Sequence, residues 1–236
     1  TKYLKYFNLF SLFDTKRTRD ILKVNQTINT QRTDATTVTV DVYEYTPETL
    51  EFHHFENIQE ACTFEKTTKN TWINIDGIRK NDVELIANHF EIHPLFVEDI
   101  LSIGSRPKMD ETENYLFCQL NMLYFNDKTG DVEQEQISIL LGKNFVISFQ
   151  EDPTRDVFNA IRDKLKITNS KLRQSSADYL CYALIDMIVD HYFLVMEKLA
   201  ERIELLEEKI IRNSNTRTLA EINDFRKELI VLKRNV

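Results

Sequence analysis

Residues 114–151, NYLFCQLNMLYFNDKTGDVEQEQISILLGKNFVISFQE, decide the fold. Three apolar runs, 114–125, 133–141 and 144–151, are separated by a polar turn through Asn126–Asp131 and by the Gly142-Lys143 link. Two residues between apolar runs suit a tight hairpin turn, so the stretch predicts an antiparallel meander. Upstream, VTVDVYEYTP (38–47) alternates apolar and polar residues until Pro47, and TWINIDG (71–77) repeats that pattern and stops at Gly77. Both read as half-buried strands. NDVELIANHFE (81–91) carries Val83, Ile86, Ala87 and Phe90 at helical spacing, with Asn81 or Asp82 as N-cap. The fold class is therefore α/β, a mixed sheet with an antiparallel meander covered by helices rather than a sandwich.

The last third changes character. Residues 175–213, SSADYLCYALIDMIVDHYFLVMEKLAERIELLEEKIIRN, contain no Gly or Pro, enough for a helix of about 60 Å. Leu199, Ile203, Leu206 and Ile210 are spaced four, three and four apart, a heptad seam. After RNSNTR (212–217), Ile222, Phe225, Leu229, Leu232 and Val236 repeat it. Two long stalk-like helices are expected, their stripes buried against each other or against other subunits. Three regions follow: 1–37, a polar, Thr-rich tail or loosely docked segment; 38–170, the α/β domain; 171–236, a helical stalk region. The first residue is Thr1 rather than Met, and the final helical pattern reaches Val236 with no cap, so both ends look cut.

Composition bounds the function. A chain of 236 residues with 42% hydrophobic content supports a sizeable core. A net charge of -8 argues against a nucleic-acid partner and allows cation binding. Cys62, Cys118 and Cys181 are odd in number and far apart, so neither a disulfide framework nor a thiolate zinc site is indicated. A reducing compartment is the reading. No window reaches the roughly 18 uninterrupted apolar residues of a spanning helix, and the chain reads as soluble.

Within IHPLFVEDILSIGSRPK (92–108), Pro94 suits a first helical position and sets Glu98 and Asp99 about one turn in. Adjacent helical residues point about 100° apart, so these acids suit different ions, or one ion through water, better than joint chelation. Asp186 and Asp190 are four apart and share a helix face. Asp186 also interrupts the apolar run YALIDMIV, where an unpaired carboxylate would be costly to bury and a cation would offset it.

TWINIDG, IHPLFVEDIL, RPK before ENYLF, NFVISFQE and ADYLCYALIDMIVDHYF, in that order, resemble the cytoplasmic amino-terminal domain of the CorA family of divalent metal ion transporters, over about residues 38–236. The resemblance implies a homopentameric transporter of magnesium, or in some members cobalt or zinc, at the inner membrane. It implies that this α/β domain lies on the cytoplasmic side, and that the pore signature Gly-Met-Asn and both membrane helices lie outside this sequence. It places Glu98 and Asp99 at regulatory metal sites between subunits and Asp186 at another such acid. Asp190 completes the candidate metal set. Gly104 stands where some members have His, and His191 where some have Asp. The implied mechanism is magnesium screening acid–acid repulsion between subunits and holding a closed state, with loss of the ion releasing the pore.

Other readings stand beside this one. Glu98 and Asp99 also suit exposed acids early in a helix, and Glu197, Glu201, Glu204, Glu207 and Glu208 suit a solvated helix face laced by Lys198, Arg202 and Lys209. His89 and His93 are four apart, but Pro94 pushes His93 out of helical geometry, and His53-His54 is a weaker pair still. A metal-dependent hydrolase has no glycine-rich phosphate loop or H-E-x-x-H to stand on, so no enzyme is expected. A soluble coiled-coil scaffold and a zinc-transporting branch of the same family are the alternatives.

Overall fold

A computed structural model describes residues 33–64, 69–212 and 216–236. Most of the polar N-terminal segment, residues 1–32, lies outside the described residues. Seven strands form one sheet: β1 (Thr39–Tyr45), β2 (Leu50–Phe55), β3 (Asn70–Asp76), β4 (Lys108–Glu111), β5 (Leu116–Phe125), β6 (Val132–Leu141) and β7 (Phe145–Gln150). Their spatial order is β2-β1-β3-β7-β6-β5-β4. Every neighbouring pair is antiparallel except β3–β7. The meander β5-β6-β7 agrees with the sequence reading; the link after β6 runs from Gly142 to Asn144, closed by the Gly142 N–H donating to the Phe145 carbonyl at 2.9 Å.

Among the described residues, six α-helices accompany the sheet: α1 (Ile58–Ala61), α2 (Lys80–His89), α3 (Pro94–Leu101), α4 (Asn159–Lys166), α5 (Ala177–Arg212) and α6 (Thr216–Asn235). They divide the core in two. On one face, Val83, Ile86, Phe96 and Ile100 of α2 and α3 pack on Ile73, Ile75, Phe117, Leu140 and Ile147. On the other, Ile161 and Leu165 of α4 and the α5 stripe Leu180, Leu184, Ile188, Tyr192, Val195 and Leu199 pack on Trp72, Cys118, Met122, Ile137 and Ile139. A buried polar ladder crosses that second face: Trp72 Nε1 donates to Ser148 Oγ at 2.9 Å, Ser148 to Asn74 Oδ1 at 2.6 Å, and Asn74 to Asp76 at 3.0 Å.

Two expectations change. The N-cap of α2 is not Asn81 or Asp82: the helix begins at Lys80, whose N–H donates to the Asp34 carboxylate at 2.9 Å. Residues 34–37 are therefore tied to this corner, where Arg79 also donates to the carbonyls of Ala35 and Thr36. Gly77 sits there at φ 91 and a Cβ would collide with the Thr37 carbonyl, so glycine is required. Second, α5 is long and apolar enough to cross a membrane by length and composition alone, although Asp186 and Asp190 interrupt its apolar run. One of its faces, however, is committed to the sheet.

α5 and α6 run antiparallel. Lys209 pairs with Glu221 at 2.7 Å, and the Arg202 guanidinium lies 5.7 Å from the Phe225 ring centroid. Arg202 also donates to the Gly130 carbonyl at the β5–β6 turn. The far end of α6 returns to the sheet, where Asn235 accepts from Asn121 Nδ2 at 2.7 Å and donates to Gln134 at 3.2 Å. The two apolar stripes are covered unevenly: Leu199, Leu206 and Phe225 are buried, while Ile203, Ile210, Ile222 and Leu229 remain exposed.

Candidate metal site

α3 owes its start to two adjacent residues. Pro94 occupies the first helical turn, and the His93 ring Nδ1 accepts from the Leu95 N–H at 3.2 Å. Phe96 and Ile100 anchor the helix in the core, which leaves Glu98 exposed and turns Asp99 sideways toward the sheet edge. There Asp99 forms an ion pair with Lys108, the first residue of β4, and Lys108 lies 3.7 Å from Asp110. Glu98, Asp99, Lys108, Asp110 and Glu111 line one open groove of about 490 Å³ beside α3.

The backbone beneath Asp99 is fixed as firmly as its side chain. Its carbonyl accepts from Gln119 Nε2 at 3.1 Å, from Gln136 Nε2 at 3.2 Å and from Ser102 Oγ at 2.7 Å. Gln136 reaches the Ile100 carbonyl as well, at 3.3 Å. These buried amides satisfy the C-terminal carbonyls that a helix leaves open. The loop that follows is tied to α6 and to β5: Arg234 of α6 donates to the Gly104 carbonyl, and Asn121 of β5 donates to the Ser105 carbonyl at 3.2 Å.

Asp186 and Asp190 lie elsewhere. Both are exposed on the outer side of α5, in a groove of about 290 Å³ shared with Lys164, Lys171 and Tyr179. Asp186 is not buried among its apolar neighbours; it accepts from the Tyr182 hydroxyl at 3.3 Å, and its charge raises the Tyr182 phenol above its ordinary value. The helix turns Leu184, Ile185, Met187 and Ile188 toward the sheet and leaves the acid, like Tyr182 and Val189, exposed, so no cation is needed to offset it. The four acids thus fall into two groups on opposite faces of one sheet.

Sequence reading missed Lys108, Asp110 and Glu111 as groove residues and Gln119 and Gln136 as the clamp. The pairing of β4 with β5 is what brings Lys108 beside Gln119, and no local pattern announces it. The structure also brings Glu44, Glu51 and His53 within 4.8 Å of one another. Lys69 already fills that cluster, 2.6 Å from Glu51 and 3.9 Å from Glu44.

With helices on both faces of a mixed sheet and a helical hairpin folded back on it, the chain has the fold of the soluble domain of CorA from Methanocaldococcus jannaschii. That match has a TM-score of 0.61 at 16% identity and covers 86% of this chain and 76% of that one. The complete CorA magnesium transporter from the same organism gives 0.60 at 14% identity over 83% of this chain and 58% of that one. The sequence carries the assignment further: residues 68–236 match the family model described as CorA-like Mg2+ transporter protein, and the chain belongs to that family. It is 36% identical over 200 residues to the cobalt/magnesium transport protein CorA of Thermotoga maritima, covering 84% of this chain and 56% of that protein. This chain therefore spans little more than half of that relative's length.

Proposed function

We propose that this chain is the ion-sensing domain of a magnesium transporter, on the cytoplasmic side of a membrane crossed by segments outside this sequence. The observation that carries the reading is the separation of the acids: Glu98 and Asp99 stand on one face of the sheet and Asp186 and Asp190 on the other. One chain cannot close a site from both pairs, whereas two copies placed face to back bring them together. In the oligomer, for which the family resemblance implies a pentamer, each interface would then hold divalent ions between Glu98 or Asp99 of one copy and Asp186, with Asp190 near it, of the next.

The donor set suits magnesium. It consists of carboxylate oxygens, with no thiolate among them, and the His93 Nδ1 is occupied in capping α3. Hard oxygen donors and open grooves match an ion that keeps several of its waters and takes one or two carboxylates from each side. Cobalt is the second cargo, by likeness to the Thermotoga protein. At high ion concentration the bridges hold copies together; at low concentration the facing acids repel and the copies part, which biases a pore elsewhere in the protein. The ties from the loop after α3 to Arg234 and Asn121 give that movement a route to the end of α6.

The test is thermal stability and light scattering of the 236-residue chain against magnesium at fixed ionic strength, for wild type and for Glu98→Ala combined with Asp99→Ala. Magnesium should stabilise or associate the wild type only. An equal response of both proteins would overturn the reading.

A further inference from the structure

The α3 groove already contains a cation. Lys108 reaches from the first residue of the edge strand β4 to Asp99, and its ammonium lies 3.7 Å from Asp110. Its side chain is 36% exposed and that of Asp99 20%, so the pair is at the surface and in exchange with solvent. β4 pairs with β5 so that Lys108 stands opposite Gln119, the residue whose amide holds the Asp99 carbonyl. The ammonium and the carboxylate are thus positioned from the same strand pair, one through its side chain and the other through its backbone.

We propose that Lys108 is a tethered competitor that sets the ion concentration at which the groove responds. This rests on the reading of the domain as a magnesium sensor and names the residue that tunes it. Without the divalent ion, the ammonium neutralises Asp99 and part of the charge of Asp110. To engage Asp99, magnesium or its bound water must displace Lys108, which then swings toward Asp110 or into water. The groove gives up one single charge and takes a double one. Three consequences follow: the response midpoint is raised by the competition, Asp99 is kept oriented while no ion is bound, and repulsion between facing acids is limited when the ion leaves. An exposed ion pair contributes only up to about 1 kcal/mol, which converts to a midpoint shift of up to about fivefold. That scale suits adjustment rather than abolition.

The experiment is a magnesium titration of the 236-residue chain, read as thermal stabilisation at constant ionic strength and as bound ion by equilibrium dialysis. It compares wild type, Lys108→Met, Lys108→Arg and Lys166→Met. Lys166 is an exposed lysine paired with Asp163, so its replacement makes the same change in net charge away from the groove. Lys108→Met should lower the midpoint about two- to fivefold, Lys108→Arg should not lower it, and Lys166→Met should leave it near wild type. An unchanged or raised midpoint in Lys108→Met overturns the proposal while leaving the sensor reading intact. An equal fall in Lys166→Met also overturns it, because the effect would then be long-range charge and not displacement. A wild type that neither binds nor responds to magnesium overturns both.

Discussion

Asp99, on the α3 face of the sheet, has its carboxylate paired with Lys108 and its carbonyl held by three side-chain donors, Ser102, Gln119 and Gln136. Asp186, on the α5 face, is exposed and meets only the Tyr182 hydroxyl among its described hydrogen bonds. One face thus holds its acid in a fixed geometry, and the other projects its acid from a helix whose packing does not depend on it. On the proposed reading the difference is a division of labour across an interface: a preorganised half-site, whose affinity the proposed competitor Lys108 would set, and an open half-site, which a neighbouring copy would approach.

The comparison breaks first where the helices are anchored. Leu184 is fully buried in the α5 stripe, and Leu184→Ala should cost about 2–5 kcal/mol in urea unfolding. The packing account of the α5 face fails if the loss is below about 1 kcal/mol. The α3 clamp comes next: Gln136→Leu leaves the Asp99 and Ile100 carbonyls short of a donor and should cost about 1–3 kcal/mol, with weaker magnesium stabilisation as a second signature. Loss of stability without any change in magnesium response would show that the clamp does not serve Asp99.

A buried charge on the returning helix sharpens the picture through pH. Glu228 accepts from the Val132 N–H at 2.5 Å, and burial raises its carboxyl above the ordinary carboxylate range. Only between the ordinary value and the raised folded one does the folded chain hold a proton that the unfolded chain has lost. This contribution is fully present below the ordinary value of about 4.3 and is lost as pH rises through the folded value. Glu228→Gln keeps an acceptor and removes the charge, so its stability relative to wild type should increase with pH above about 4.3, measured as Tm from acid to neutral pH. A constant difference would mean that the charge is not the cause.

The smallest effects concern the acids themselves. Without divalent ions, Asp186→Asn should stay within about 0.5 kcal/mol of wild type, and Asp99→Asn should lose at most about 1 kcal/mol with its Lys108 pair. A larger loss at Asp186 would mean that it supports the fold and is not free for an ion.

Much of the fold could be read from the sequence because its central elements are regular. The meander strands have long apolar runs, Val83, Ile86, Ala87 and Phe90 mark the buried side of α2, and Pro94 marks the start of α3. The edges were silent. β2, LEFHHF, has no buried position and is exposed at half of them, and β4, KMDE, is a short, largely exposed edge strand. Strands without a buried face carry no alternation to detect. The return of α6 onto the sheet was equally hidden, because Asn235, Arg234 and Glu228 make their key bonds to strand or loop atoms about a hundred residues away in sequence. Helix geometry and family resemblance point to Glu98, Asp99, Asp186 and Asp190. Neither reveals that two of them lie on each side of the sheet, nor that Lys108 reaches Asp99, since both facts are tertiary.

The central claim, that acids from opposite faces share ions across copies, is tested most directly by a double-mutant cycle on magnesium binding between Asp99→Asn and Asp186→Asn. Residues that hold the same ion are strongly non-additive. The account predicts that either substitution alone removes most of the magnesium response and that the pair together loses little more. Two independent losses that simply add would contradict it.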